Sequence, residues 1–235
     1  MEAIILAGGK AERLGEAADG KPKPLVPVAG RPLVAYQVAS LVRVGVRRVV
    51  VACSAGQEAL FESELAGLGA EIVAVGEPEP LGRGGGIRFA ATRREESGPV
   101  YALNGDELLD VDFPALLARH RSAGGVATIA VARPESQFGV VDLGPGDAVA
   151  GFHEAGRVPF WVNCGVYVLE DAALARLPER GDHETATFPQ LAAEGLLFAY
   201  RHEGVWLTVN TPKELRTAGE YLAAHPDWLA VGSAR

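Results

Sequence analysis

Short apolar, β-rich runs alternate with amphipathic helical stretches through the first half of the chain, and that rhythm leaves few folds open. Ala3 to Ala7, Arg48 to Ala52, Glu71 to Val75 and Val100 to Asn104 read as strands. Leu33 to Val44, Gln57 to Leu68 and Gly86 to Arg93 read as the helices between them, and Asp112 is placed to cap a helix from Phe113 to Ser122. Near-continuous apolar strands separated by helices imply a parallel sheet covered on both faces. The second half changes character. Strand-like runs at Val126 to Ala132, Gly139 to Leu143, Val149 to Glu154 and Phe160 to Leu169 follow one another with few helices between, so mixed or antiparallel pairing is expected there. Helices recur near Ala172 to Leu177, Thr187 to Glu194 and Thr211 to Ala223, and the tail from His225 has no clear period. The expected fold class is α/β: a Rossmann-like mixed, mostly parallel sheet flanked by helices.

The 235 residues, 48% hydrophobic and 22% charged, suit one large domain with no linker or internal repeat. A formal net charge of -8 argues against nucleic-acid or anionic-membrane partners, since no local basic patch offsets it. Cys53 and Cys164 are too few for a disulfide framework and lack zinc-site spacing, so both are expected to be small buried residues. The chain enters an apolar strand at once, with nothing of the length of a signal segment or membrane span, and a cytoplasmic location is expected. Three of the four lysines, Lys10, Lys21 and Lys23, fall within the first two dozen residues of an otherwise arginine-biased chain. A compact ammonium serves where a phosphate is reached from one side.

The first strand ends in Leu6-Ala7-Gly8-Gly9-Lys10-Ala11-Glu12-Arg13-Leu14, a turn whose successive N–H groups can cradle a polyphosphate. It has neither Walker nor G-x-G-x-x-G spacing. The continuation is Lys21-Pro22-Lys23-Pro24-Leu25-Val26-Pro27-Val28-Ala29-Gly30-Arg31-Pro32-Leu33. Together the two segments resemble the L-A-G-G-x-x-x-R-L … P-K-P-L-x-P-V-x-G-x-P-L signature of the sugar-phosphate nucleotidyltransferase family, and later landmarks extend the resemblance over nearly the whole chain.

That resemblance implies a nucleotide-diphospho-sugar transferase, GT-A-like fold in a single domain over 1–235. Residues 1–125 would form a nucleotide-binding half, 126–224 a sugar-binding half and 225–235 a tail. Leu6, Ala7, Gly8, Gly9 and Lys10 would cradle the nucleotide, Arg13 would hold the triphosphate, and Lys23 would bind the sugar 1-phosphate. Asn104-Gly105-Asp106 ends a central strand at the edge where ligands sit in open parallel sheets. By resemblance Asp106 would hold Mg2+, a hard ion that takes oxygen ligands. The neighbouring Glu107, Asp110 and Asp112 are expected to be solvated or to cap helices.

A second metal contact in relatives precedes the last helix, here Trp206-Leu207-Thr208-Val209-Asn210-Thr211-Pro212. Many members carry aspartate where Thr208 stands, whereas molybdenum-cofactor guanylyltransferases read closer to V-N-T-P. Asn210 is the candidate ligand, with Thr208 the alternative and a helix-cap role for Asn210 the plain one. Glu79-Pro80-Leu81-Gly82-Arg83-Gly84-Gly85-Gly86 resembles the family's base-recognition loop, with Arg83 in a threonine position, and assigns Glu79, Pro80 and Gly84 to the nucleotide. An ionised Glu79 only accepts hydrogen bonds, which suits the adjacent donors of guanine better than the edge of adenine and favours GTP; uridylyl-transferring relatives also carry E-P-L in this loop. Phe138-Gly139-Val140-Val141, Phe152-His153-Glu154 and Val162-Asn163-Cys164-Gly165 resemble sugar-binding segments, giving Gly139, Glu154 and Asn163, although Ala155 replaces an expected lysine. The five histidines are assigned surface or packing roles.

The implied activity is a guanylyltransferase for a mannose- or heptose-like 1-phosphate, with a homo-oligomer as the general prior. The alternatives are a uridylyltransferase for an amino-sugar 1-phosphate, a molybdopterin guanylyltransferase, and a nucleotide-sugar-sensing subunit without turnover.

Overall fold

The computed structural model describes residues 1–229 apart from Lys10, Gln137 and Ala155. Its centre is a seven-stranded sheet. From one edge to the other the strands are Leu197–Arg201, Ala127–Ala132, Val162–Leu169, Val100–Asn104, Ala3–Leu6, Arg48–Ser54 and Glu71–Glu77. Val162–Leu169 runs antiparallel to both its neighbours, and the other adjacent pairs are parallel. The mixed, mostly parallel sheet flanked by helices is therefore as the periodicity implies.

Alternate side chains of the central strands feed two separate apolar layers. Ala3, Ile5, Val49, Val51 and Leu103 pack on one face beneath the helices Leu33–Arg43, Glu58–Glu64 and Phe113–Ala123. Ile4, Val50, Ala52 and Ala102 pack on the other, beneath Gly82–Ala91 and Thr187–Ala193. Asp112 does cap the Phe113–Ala123 helix, accepting from the Ala115 N–H at 2.9 Å, and both cysteines are buried.

A third apolar cluster lies off the sheet. Leu14, Val26, Val28, Leu33, Tyr36, Leu108, Val209, Ala218 and Leu222 gather the N-terminal loop, the segment after the Val100–Asn104 strand and the last helix, Pro212–Ala224. A short ribbon pairs Glu107–Leu109 antiparallel with Trp206–Thr208 and brings these segments together. Neither this ribbon nor the edge strand Leu197–Arg201 is marked by the local pattern, because three-residue and edge strands carry too few alternations to read.

The helix expected near Gly86 begins instead at Gly82. Glycines weaken an isolated helix, but here their missing side chains let the segment 179–183 lie against it. A Cβ at Gly84 would stand 2.8 Å from the His183 nitrogen, and one at Gly85 would stand 2.6 Å from the Glu179 carbonyl oxygen.

Candidate active site

The prolines 22 and 24 frame a 3-10 turn, Lys23–Leu25, that aims one lysine inward. The Lys23 side chain is 9% exposed, and its ammonium donates to Asp106 Oδ2 at 2.7 Å and to Asn210 Oδ1 at 2.7 Å. Its backbone N–H donates to the Gly9 carbonyl at 3.2 Å, tying this turn to the glycine loop. The third apolar cluster explains the convergence. Val26 follows Lys23 by one turn, Leu108 follows Asp106 on the ribbon, and Val209 precedes Asn210. Burying those anchors brings the three polar side chains together.

The turn carrying Asp106 is held from two sides. Gly105 donates to the Leu6 carbonyl at 2.8 Å, and a Cβ there would lie 2.5 Å from the same oxygen. The Gln37 amide, from the helix Leu33–Arg43, donates to the carbonyls of Asn104 at 2.7 Å and Glu107 at 2.6 Å. Gln37 is a positioning residue that the sequence does not single out, since its partners are backbone atoms far along the chain.

Asn210 is not the helix cap. Thr211 caps Pro212–Ala224 in a reciprocal capping box with Glu214, and the Glu214 carboxylate also accepts from the Asn210 N–H at 2.8 Å and the Thr208 hydroxyl at 2.9 Å. The Thr208 side chain is thus engaged with Glu214, while the Asn210 side chain faces Lys23. Asp106 Oδ2 and Asn210 Oδ1 meet on a single cation, and two hard oxygens so placed are donors that a divalent ion accepts.

Glu107 departs from the solvated role expected of it. Burial pushes its carboxyl up to about 7, with the Asp106 charge adding, although the Trp206 indole N–H donates to it at 3.0 Å. Asp110 is also engaged, accepting from the Val205 N–H at 2.6 Å. Asp110 nonetheless stays exposed, as expected of it, whereas Glu107 departs because its burial is set by the ribbon partner, which only the fold supplies.

Gly8 and Gly9 are exposed and line, with Ala11, Lys21, Pro22, Ser54 and Gln57, an open cleft of about 460 Å³. Ala7 is buried, its N–H on the Ala52 carbonyl at 2.6 Å, and Leu6 is half-buried. Arg13 is exposed on the segment Glu12–Ala18. Lys10 lies outside the described residues.

Glu79 and Pro80 are exposed, and Glu79 pairs with Arg180 at 3.0 Å. Gly84 is buried and its N–H donates to the Gly181 carbonyl at 2.9 Å, so packing against the 179–183 segment accounts for the glycine there. Glu77 is the carboxylate that lies beside the glycine loop, its Oε1 3.9 Å from a Cβ built on Gly8 and 2.6 Å from one built on Gly86. Burial raises its pKa. The available signal in the sequence is a carboxylate closing a parallel strand at the ligand edge.

Arg83 ties the helix Gly82–Ala91 to the segment 182–184. It pairs with Asp182 at 3.2 Å and with Glu184 at 2.7 Å, and Glu184 in turn accepts from the Asn163 amide at 2.7 Å. Asn163 also donates to the Tyr167 hydroxyl at 2.8 Å. Gly139 and Glu154 stay exposed at the same end of a separate ribbon, Val140–Leu143 with Val149–His153, where Val140 pairs with His153, and Gly139 lies against the Phe152 ring.

Residues 2–225 match the family model described as Nucleotidyl transferase. The mannose-1-phosphate guanylyltransferase catalytic subunit beta of Xenopus tropicalis is 34% identical over 247 residues, covering 99% of this chain and 69% of that protein. The mannose-1-phosphate guanyltransferase 2 of Candida glabrata is 32% identical over 252 residues, with 99% and 69% covered. Among solved structures, HddC from Yersinia pseudotuberculosis complexed with GMP-PN aligns with a TM-score of 0.73 at 24% identity, over 94% of this chain and 99% of that one. The inositol-1-phosphate CTP transferase from T. maritima aligns with a TM-score of 0.75 at 21% identity, over 100% and 98%. At these identities the two structures speak for the fold.

Proposed function

This chain belongs to the nucleotidyl transferase family, and we propose that it is a sugar-1-phosphate guanylyltransferase using a mannose- or heptose-like 1-phosphate. In the reaction a phosphate oxygen of the sugar 1-phosphate attacks the α-phosphorus of GTP. The bond from that phosphorus to the β-phosphate bridging oxygen breaks, and pyrophosphate leaves with the bonding pair. Such transfer needs little covalent help from protein, so fixed charge and alignment supply most of the rate.

The observation that carries the reading is the meeting of Lys23, Asp106 and Asn210 at 2.7 Å contacts beside the glycine loop. Lys23 exchanges part of that contact for the sugar phosphate and aligns its oxygen. The exposed N–H groups of Gly8 and Gly9 and the Arg13 guanidinium hold the triphosphate. Asp106 and Asn210 would hold the divalent ion, taken as Mg2+, which neutralises charge on the phosphates it touches. Glu79, together with Glu77 nearer the loop, accepts hydrogen bonds from the guanine edge. Gly139, Glu154 and Asn163 receive the sugar. Residues 1–235 act as one domain, with the reaction placed in the cytoplasm.

Pyrophosphate release measured with the four common nucleoside triphosphates against mannose 1-phosphate, a heptose 1-phosphate and an amino-sugar 1-phosphate tests the reading. GTP with mannose or heptose 1-phosphate is expected to lead. A rate with UTP equal to that with GTP would reject the base assignment, and no turnover in any pair would favour a sensing subunit.

A further inference from the structure

Arg133 and Arg201 both lie over the ring of Trp161, their guanidinium carbons 4.9 and 5.3 Å from its centroid. Other arginines of this region are neutralised by acids: Arg83 by Asp182 and Glu184, Arg157 by Glu203, Arg180 by Glu79. Among the described residues, Arg133 and Arg201 stand without such a partner, and Arg133 Nε is buried with no hydrogen bond. In a chain of net charge -8, two cations gathered at one indole and left unpaired repel each other until an anion arrives.

Register fixes where this cluster sits. Val162 pairs with Ala132 and Asn163 with Val131, so Trp161 and Arg133 oppose each other one step further on, and Arg201 pairs with the same Val131. By the two-residue period Val131, Arg133, Trp161, Asn163 and Arg201 share one face of the sheet. Trp161 is about 7 Å along the strand from Asn163. Across the edge, the strands carrying the Gly8 loop, Asp106, Asn163, Arg133 and Arg201 follow in that spatial order. Asp106 and Arg133 extend from strands two spacings apart, about 10 Å, the length scale of a hexose with a group at each end.

A guanidinium held over an indole still offers the N–H groups at its outer edge, where the fork matches a carboxylate or phosphate in two-point fashion. We propose that Arg133, Trp161 and Arg201 form a subsite for a second anionic group, phosphate or carboxylate, carried by the sugar at the end remote from C1. This rests on the transferase reading above: the 1-phosphate occupies Lys23, the ring lies at Asn163, and the remote anion reaches the two arginines.

The test compares kcat/KM, by pyrophosphate release with GTP, for mannose 1-phosphate, mannose 1,6-bisphosphate and mannuronic acid 1-phosphate. Wild-type protein is expected to favour at least one of the doubly anionic sugars by about tenfold or more, the two arms separating phosphate from carboxylate. R133Q and R201Q, the latter on an exposed side chain, should each lower that preference about tenfold. Equal kcat/KM for all three sugars, or a preference unchanged in both variants, overturns the subsite while leaving the transferase reading standing. Mannose 6-phosphate, which lacks the reacting group, and mannuronic acid are titrated by calorimetry into the same proteins. Binding weakened about tenfold in R201Q supports the subsite even if no sugar 1-phosphate turns over, a result that would reject the transferase reading alone.

Discussion

The Lys23 ammonium donates to Asp106 Oδ2 at 2.7 Å across 83 residues of sequence, and Asn210 Oδ1 closes on the same nitrogen at the same distance. A buried cation is tolerable only with such partners, so charge and packing are coupled at this point. Replacing Asp106 by Asn keeps an acceptor for Lys23 but removes the negative charge. Turnover in D106N should fall by about 10²-fold or more with the melting temperature little changed. D106A should lose turnover and, in addition, up to about 3 kcal/mol of stability, because Lys23 then keeps only an amide partner. Pyrophosphate release and thermal unfolding read the two effects, and wild-type turnover in D106N would remove Asp106 from the metal-holding role.

Asn210 and Thr208 are separated by the same pair of experiments run under a magnesium titration. N210A is expected to raise the ion concentration for half-maximal rate about tenfold or more, the range seen when a metal's surroundings are altered. T208A loses only a hydroxyl bonded to Glu214, so its half-saturation should stay put while stability drops by about 1 kcal/mol. A larger metal effect from T208A than from N210A would reverse the assignment.

Gly105 has no room for a methyl group, since a Cβ there meets the Leu6 carbonyl oxygen at 2.5 Å while Gln37 clamps the carbonyls on either side. G105A should cost about 1–3 kcal/mol and displace Asp106, lowering turnover as well. Among the described residues, nothing lies within 4 Å of a Cβ built on Gly9. G9A should therefore change stability by no more than about 0.5 kcal/mol. Unfolding midpoints that fall equally in the two variants would contradict this.

His183 is buried between Tyr167 and Phe188, with ring centroids 5.1 and 4.6 Å away, and neither ring nitrogen has a hydrogen-bond partner among the described residues. Burial drops its pKa from 6.5 to about 4, Arg83 adding to the effect and Glu184 and Asp182 opposing it. Between those values the unfolded chain binds the extra proton, so stability rises with pH through this window and levels off above about 6.5. A shift of this size corresponds to about 3 kcal/mol. The melting temperature of wild-type protein should fall more steeply from pH 7 to pH 4.5 than that of H183F; parallel curves would show that another group sets the acid slope.

How much was legible follows from what each signal depends on. The strands Ala3–Leu6 and Val100–Asn104 announce themselves because every residue in them is apolar or small, and Asp106 and Lys23 are marked by the prolines and glycines around them. Glu107 is not legible, because its carboxyl owes its environment to Trp206 on a ribbon 99 residues away. The run Gly84-Gly85-Gly86 misleads for a related reason: glycine reads as a loop until the 179–183 segment that needs the space is in place. Glu77 is visible only as a strand-end carboxylate, and its place beside Gly8 comes from pairing in the sheet.

The amino-acid order by itself determined the alternation of strand and helix, hence a mostly parallel covered sheet, and it determined the residue types available for phosphate and metal. Those depend on neighbours within a turn or a strand, over which the chain is its own environment. Only the tertiary structure decided that Asn210 and not Thr208 faces Lys23, that Gln37 clamps the Asp106 turn, and that Arg133 and Arg201 share one indole. These contacts join distant segments through buried apolar anchors, and desolvation, the force that sets their strength, belongs to the assembled surroundings and to no local stretch of sequence.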